Sequence, residues 1–360
     1  MSQPSVLRRR ILQSTAAAGT FLTAGRLSTR GRASSRQQGD PPEELPPAED
    51  PDVDRIAADP TDVPPPVDWN TPREHEITLR SEELVAEIEP GATFRYMTYE
   101  GRIPGPLIRV REGDTIDLTF EVPADLNRDA HNVDFHAVYG PGGGAADTTL
   151  APGDAPARIR FRTVYPGIHI YHCAVPLMDY HVSSGMFGAI LVEPADGLPA
   201  VDREFYLGQH ELYTNGDPGV DGHHTFDFGG LGEEGPTYVV FNGEAYAFTD
   251  DGYGPLSAET DETVRVYFAN GGPNLPCAWH AIGNVWSRLY RDGDLVSEPA
   301  RYVETTPVAP GTTTAAEMEL PVPGPITVVD HALTRPVRRG ARGVIEVEGE
   351  SDLGIYDPDP

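Results

Sequence analysis

The chain has 360 residues, rich in glycine (38) and proline (36), with two cysteines and a formal net charge of −29 at pH 7. That length suits one or two domains with real cores. The acidic balance argues against nucleic acid and anionic membrane as partners. Short alternating apolar runs among many turn residues point to an all-β protein.

The charge is unevenly laid out. All 27 basic residues are arginine, and seven of them precede Asp40 without a single acid among them. The remainder therefore sets 20 arginines against all 56 acidic residues. In molar salt the Debye length falls to about 3 Å, so self-repulsion costs little while the charge keeps the protein soluble. The composition is read as adaptation to very high salt.

Residues 1–39 read as an export signal. Arg8-Arg9-Arg10-Ile11-Leu12-Gln13 has the twin-arginine form, and an Ala/Thr/Leu-rich run follows to about Leu27, too short and interrupted for a membrane span. Residues 40–75 form a Pro-, Asp- and Glu-rich linker or extended arm. Strand-like alternation begins at Glu76–Leu79 and recurs at Leu84–Ile88, Thr93–Met97, Leu107–Val110 and Thr115–Phe120. No long helical pattern interrupts residues 76–349.

The chain repeats weakly. Tyr99-Glu100-Gly101, leading to Pro106-Leu107 and Asp114–Phe120, is echoed by Phe241-Asn242-Gly243, Pro255-Leu256 and Glu262–Phe268. Ala151-Pro152-Gly153 precedes His172 by 21 residues, and Ala309-Pro310-Gly311 precedes His331 by 22. Two copies of one β-sandwich follow, residues 76–195 and 196–349, with a tail at 350–360.

The first copy carries His131-Asn132-Val133-Asp134-Phe135-His136, then Tyr171-His172-Cys173, His181 and Met186. Two histidines, one cysteine and a weak axial methionine are the ligands of a blue-type copper centre, here His131, Cys173, His181 and Met186. Met178 competes for the axial place but lies inside the loop. His136 and His172 are left over. On a strand, neighbouring side chains point to opposite faces, so Cys173 faces the core and His172 faces out. An outward pair needs a third ligand. The second copy has no Cys, His and Met run but keeps His331 at the matching place, supplied by a neighbouring subunit. Three histidines with an open position form a catalytic metal site.

Asp134 shares strand parity with His136, and His280 comes from Trp279-His280-Ala281-Ile282; the two suit proton transfer beside such a metal. The remaining histidines, His75, His169, His210, His223 and His224, are read as structural, with His223-His224 at the surface. Cys277 is read as a small buried apolar residue, with no disulfide.

The motifs HNVDFHA (131–137), GPGGG (140–144), the Tyr171–Met186 run, WHAIGN (279–284) and VVDHAL (328–333) resemble those of copper-containing nitrite reductases, over roughly residues 76–349. The resemblance implies two tandem cupredoxin-like Greek-key sandwiches assembled as a homotrimer. It implies type 1 copper at His131, Cys173, His181 and Met186, and type 2 copper at His136, His172 and the neighbour's His331, one of each per subunit. Asp134 and His280 would deliver protons, and Ile282 would shape the nitrite site. The short Cys173–His181 loop resembles the subgroup with a compact linker, and the lysine-free composition resembles extremely halophilic archaea. The implied activity is reduction of nitrite to nitric oxide in denitrification, with electrons from a small cupredoxin or cytochrome-like donor, outside the cell membrane or in a periplasm-equivalent space.

Two other classes compete. A two-domain multicopper oxidase needs paired His-X-His motifs and a His-Cys-His run, but Cys173 is followed by Ala174. A pure electron-carrying cupredoxin leaves His136, His172 and His331 unexplained.

Overall fold

In the computed structural model, which describes residues 44–358 and 360, the strand Phe187–Glu193 is buried at all seven positions. A strand in a half-solvated sheet would alternate. Here Ile190 and Val192 point into one core, while Phe187, Ala189 and Leu191 point into a second. The reason is that this strand belongs to a sheet covered on both sides.

The first sandwich packs a five-stranded sheet (Gly222–His224, Ala92–Tyr99, Glu74–Glu89, Thr115–Glu121, Ala157–Arg162) on a four-stranded one (Ile108–Arg111, Phe187–Glu193, Gly167–His172, Asp134–Phe135). Its core includes Leu79, Phe120, Phe135, Tyr171 and Cys173. The second packs a six-stranded sheet, centred on Arg203–Leu212, Thr263–Gly272 and Thr312–Glu319, on a five-stranded one that contains Cys277–Ile282 and Gly324–Asp330. Phe268, Trp279 and Trp286 stack through its centre. A third apolar cluster joins the sandwiches, with Phe187, Ala189 and Leu191 of the first against Tyr206, Tyr267, Ala269 and Ala315 of the second. The longest helix among the described residues, Met178–Ser183, has six residues.

Two predicted strands are one. Glu76–Leu79 and Leu84–Ile88 lie in the 16-residue strand Glu74–Glu89. Its first half pairs parallel with Thr115–Glu121 and its second half antiparallel with Ala92–Tyr99. The polar stretch Arg80–Glu83 that suggested a break is where the strand changes partners.

The described part of the 40–75 segment runs across both sandwiches. Asp52 exchanges hydrogen bonds with Val85 of the first. The N–H groups of Ile56 and Ala57 both donate to the Glu244 carboxylate of the second, each at 3.0 Å. Ile56 and Ala57 are buried despite the polar composition around them. The Arg109 guanidinium bonds Pro64 O of the arm, Glu193 and Glu204, so arm and sandwiches share one buried ionic network. The arm ends at the buried carboxylate of Asp114, which accepts from Trp69, His75 and the N–H of Arg73.

His223-His224 departs from the surface placement expected of it. Gly222–His224 adds a parallel strand to the edge of the first sandwich, and His224 is fully buried, bonding Val220 O. The Gly/Asp-rich flanks looked like a free loop because strand addition to another domain leaves no local pattern. The signal region 1–39 lies outside the described residues.

Candidate metal centres

Three elements bring the first ligand group together. His131 is fixed by reciprocal backbone bonds with Leu150, both 3.0 Å. Cys173 directly follows the strand Gly167–His172 and donates its N–H to Met186 O. His181 is carried by the short helix Met178–Ser183. Asn132 ties the first two segments, accepting from the Ala174 N–H at 2.7 Å and donating to Thr149 Oγ1 at 2.9 Å.

His131 Nδ1, His181 Nδ1 and Cys173 Sγ form a triangle with sides of 3.2, 3.6 and 4.0 Å. Donors around one ion, bonded at about 2.0 Å for imidazole nitrogen and 2.3 Å for thiolate, lie roughly 3.5–4 Å apart in a trigonal plane. The triangle fits a single ion. All three residues are buried, and so is Met186, whereas Met178 is 43% exposed. Burial pushes the Cys173 thiol up to about 11. Burial, then the like charge of His131, brings His181 down to about 4. A neutral imidazole is ready to ligate, and a metal would be needed to draw the thiol proton off.

Glu83 was missed in the sequence. Its Oε1 accepts from the N–H groups of Arg128 (2.7 Å) and Asp129 (2.8 Å) and from His131 Nε2 (3.2 Å). Burial would push this carboxyl up, but the hydrogen bonds from His131, Asp129 and Arg128 outweigh it and hold it below the usual range. The available signal was parity: Glu83 shares the inward face of its strand with Leu79 and Ser81. The Tyr180 ring lies 5.5 Å from that of His181 and 4.5 Å from that of Phe226.

The second group forms one residue away. Asp134 lies opposite His172 in an antiparallel pair, and Asp134, His136 and His172 converge, each offering a ligand atom within 4.8 Å of the others. His136 Nε2 and His172 Nε2 are 3.1 Å apart. His172 donates through Nδ1 to Cys173 O at 2.9 Å, which leaves the Nε2 lone pair toward His136. Burial, then the nearby His172, holds His136 below its ordinary value. The GPGGG loop covers the carboxylate: Gly143, at φ +57°, sits so close that a Cβ would meet Asp134 Oδ1 and the Phe135 backbone.

The remaining predicted residues lie on the second sandwich. His280 and Ile282 alternate outward on Cys277–Ile282, Ile282 being 45% exposed. His331 follows Gly324–Asp330 and is exposed, its ring 5.0 Å from that of His280. His280 donates through Nδ1 to Glu304 O at 2.7 Å, and among the described residues no hydrogen bond engages its Nε2. Among the described residues, His331 joins no three-ligand group within its own chain. His169 bonds Tyr165 O and joins neither group.

A buried His-Cys-His triangle at one end of a β-sandwich, with an imidazole pair on the opposite face of the same strand, defines a cupredoxin-type metalloprotein. A family model described as "Multicopper oxidase" matches residues 67–196. The chain is 41% identical to a copper-containing nitrite reductase of Neisseria meningitidis over 86% of its own length and 78% of that protein's. A copper nitrite reductase structure from Nitrosomonas europaea superposes with a TM-score of 0.69 at 30% identity, covering 78% of this chain and 95% of that one. A multicopper oxidase structure follows with a TM-score of 0.64 at 26% identity, covering 76% of this chain and 89% of that one. The chain belongs to the copper-containing nitrite reductase family, and its fold is the tandem cupredoxin sandwich.

Proposed function

We propose that this protein reduces nitrite to nitric oxide, taking up one electron and two protons and releasing water. His131, Cys173, His181 and Met186 would hold a type 1 copper. His136 and His172 would hold a type 2 copper with His331 of a neighbouring subunit. Copper would supply one-electron redox chemistry at the first site and an electrophilic centre for nitrite at the second.

The observation that carries this reading is the placement of His172 and Cys173. They are consecutive residues in two different ligand groups. A pure electron carrier has no use for the second group. A multicopper oxidase needs a His-Cys-His run that Ala174 interrupts. The shared peptide gives an electron leaving the first group a short covalent route to the second.

The chain's own residues supply the protons. Asp134 stands in the second group with its carboxylate toward the imidazoles, and His280, on the second sandwich's outer face, uses Nδ1 for Glu304 O and has Nε2 unengaged among the described residues. Both would protonate the departing oxygen of nitrite, with Ile282 limiting how the substrate sits. Because His331, among the described residues, joins no three-ligand group within its own chain, a third imidazole for His136 and His172 would have to come from another subunit, as in a homotrimer.

The wider reading joins the composition to the site. The protein would be exported by the twin-arginine route and work in denitrification at high salt, outside the cell membrane or in a periplasm-equivalent space. A small cupredoxin or cytochrome-like protein would be the donor. The eight-residue step from Cys173 to His181 supports the compact-linker subgroup, and the lysine-free chain supports a halophilic archaeal source.

Electron paramagnetic resonance of the copper-loaded protein tests the reading. Two signals are expected, one with small and one with large hyperfine splitting. His331→Ala should lose the large-splitting signal and nitrite turnover together. Full copper content and activity in that variant would overturn the type 2 assignment.

A further inference from the structure

The buried carboxylate of Glu83 has no role in the chemistry described so far. Its side chain is 2% exposed, and among the described residues its one ion-pair partner is His131. A carboxylate removed from water needs strong compensation. Here the compensation is three donors on one oxygen: the N–H groups of Arg128 and Asp129, and His131 Nε2. The two backbone donors lie just before His131 in the chain. One carboxylate therefore fixes both the approach of this segment and the ring at its end.

The ring's orientation makes the contact informative. His131 turns Nδ1 toward Cys173 Sγ and His181 Nδ1, and Nε2 toward Glu83. A carboxylate can only accept here, so Nε2 carries the proton and Nδ1 keeps its lone pair for the ligand side. A carboxylate behind a ligating imidazole raises its basicity and holds its tautomer. Among the described residues His181 has no carboxylate hydrogen-bonded to its ring, and its ring neighbours are His131 and Tyr180. The two imidazoles of the triangle are thus unequal, one backed by an anion and one by an aromatic ring.

We propose that Glu83 is a positioning residue that sets the reduction potential of the first site. The inference rests on the reading of His131, Cys173 and His181 as one copper centre. The oxidised ion carries one more positive charge than the reduced ion. An anion hydrogen-bonded through a ligand stabilises the oxidised state more, and so lowers the potential. The consequence is functional: a lower potential favours passing the electron onward through Cys173 and His172.

The test uses copper-loaded, full-length protein. Glu83→Gln keeps an oxygen able to accept the three hydrogen bonds, removes the charge and puts an NH2 in place of the second oxygen. Its thiolate-to-copper absorption band and copper content should match the parent, while spectroelectrochemical titration of that band should show the midpoint raised by about 59 mV or more. That shift is a tenfold change in the reduced-to-oxidised ratio at fixed potential. Unchanged copper content and an unchanged absorption band in Glu83→Gln separate this role from a structural one. Glu83→Ala should retain copper at this site less well, but the Gln variant decides the matter even if the Ala variant does not fold. Less than a twofold change in the ratio for Glu83→Gln overturns the proposal. Absence of the absorption band in the parent protein would instead overturn the copper reading beneath it.

Discussion

Asp134 and His172 stand directly opposite each other across an antiparallel strand pair. This register puts a carboxylate beside one imidazole of the second ligand group, and His136 completes the convergence two residues further on. The pair is short, only Asp134–Phe135, but it joins a four-stranded sheet whose other strands are deeply buried.

Under the proposed mechanism, Asp134→Asn removes a proton carrier without removing volume. Positioned general acid–base groups contribute roughly 10²–10⁴-fold to rate. Nitrite turnover should fall by about two orders of magnitude or more, while the absorption band of the Cys173 site stays. A variant with near-parental turnover would remove Asp134 from proton delivery.

Gly143→Ala attacks the same carboxylate from the loop. The added methyl would lie 2.0 Å from Asp134 Oδ1 and 2.7 Å from Phe135 O, at a residue with φ of +57°. Strain of this kind costs about 1–3 kcal/mol. Thermal unfolding should show a lowered midpoint, and copper content should drop selectively at the second site.

Met186 and Met178 differ in burial, which separates them as axial ligands. Met186→Ala should destabilise the protein by about 2–5 kcal/mol, as loss of a fully buried methionine does, and should alter the absorption spectrum of the first site. Met178→Ala, at a position 43% exposed, should change neither. The reverse pattern in spectra would move the axial role to Met178.

His210, outside both ligand groups, offers a pH test. It is fully buried, donates through Nδ1 to Ser183 O at 2.9 Å, and burial brings it down to about 4. The unfolded chain protonates near 6.5, before the folded one does. The stability contribution is therefore complete above about pH 6.5 and is lost as pH falls toward 4, by up to about 3 kcal/mol. Denaturant titrations between pH 7 and 4 should show this decline, and His210→Gln should flatten it. An unchanged slope in the variant would mean that His210 does not titrate in this window.

The sequence by itself picked out the residues of the two candidate groups by their ordered spacing and by strand parity, although His131 stands 42 residues from Cys173 and 50 from His181. Cys173 and His172 must point opposite ways wherever the strand lies. The all-β class and the tandem repeat were legible for the same reason: alternation and turn residues are local signals. Tertiary structure decided what depends on distant segments meeting. The pairing of Glu83 with His131 spans 48 residues, and the burial of Ile56 depends on a site made by Glu244. The inclusion of His224 in the first sandwich is set by the edge of Ala92–Tyr99. A residue's neighbours along the chain cannot reveal a partner that only folding supplies. His331 marks the boundary between the two kinds of knowledge. The repeat picks it out, but within its own chain it meets His280 rather than His136 and His172, so the ligand role proposed for it would need a second copy of the chain.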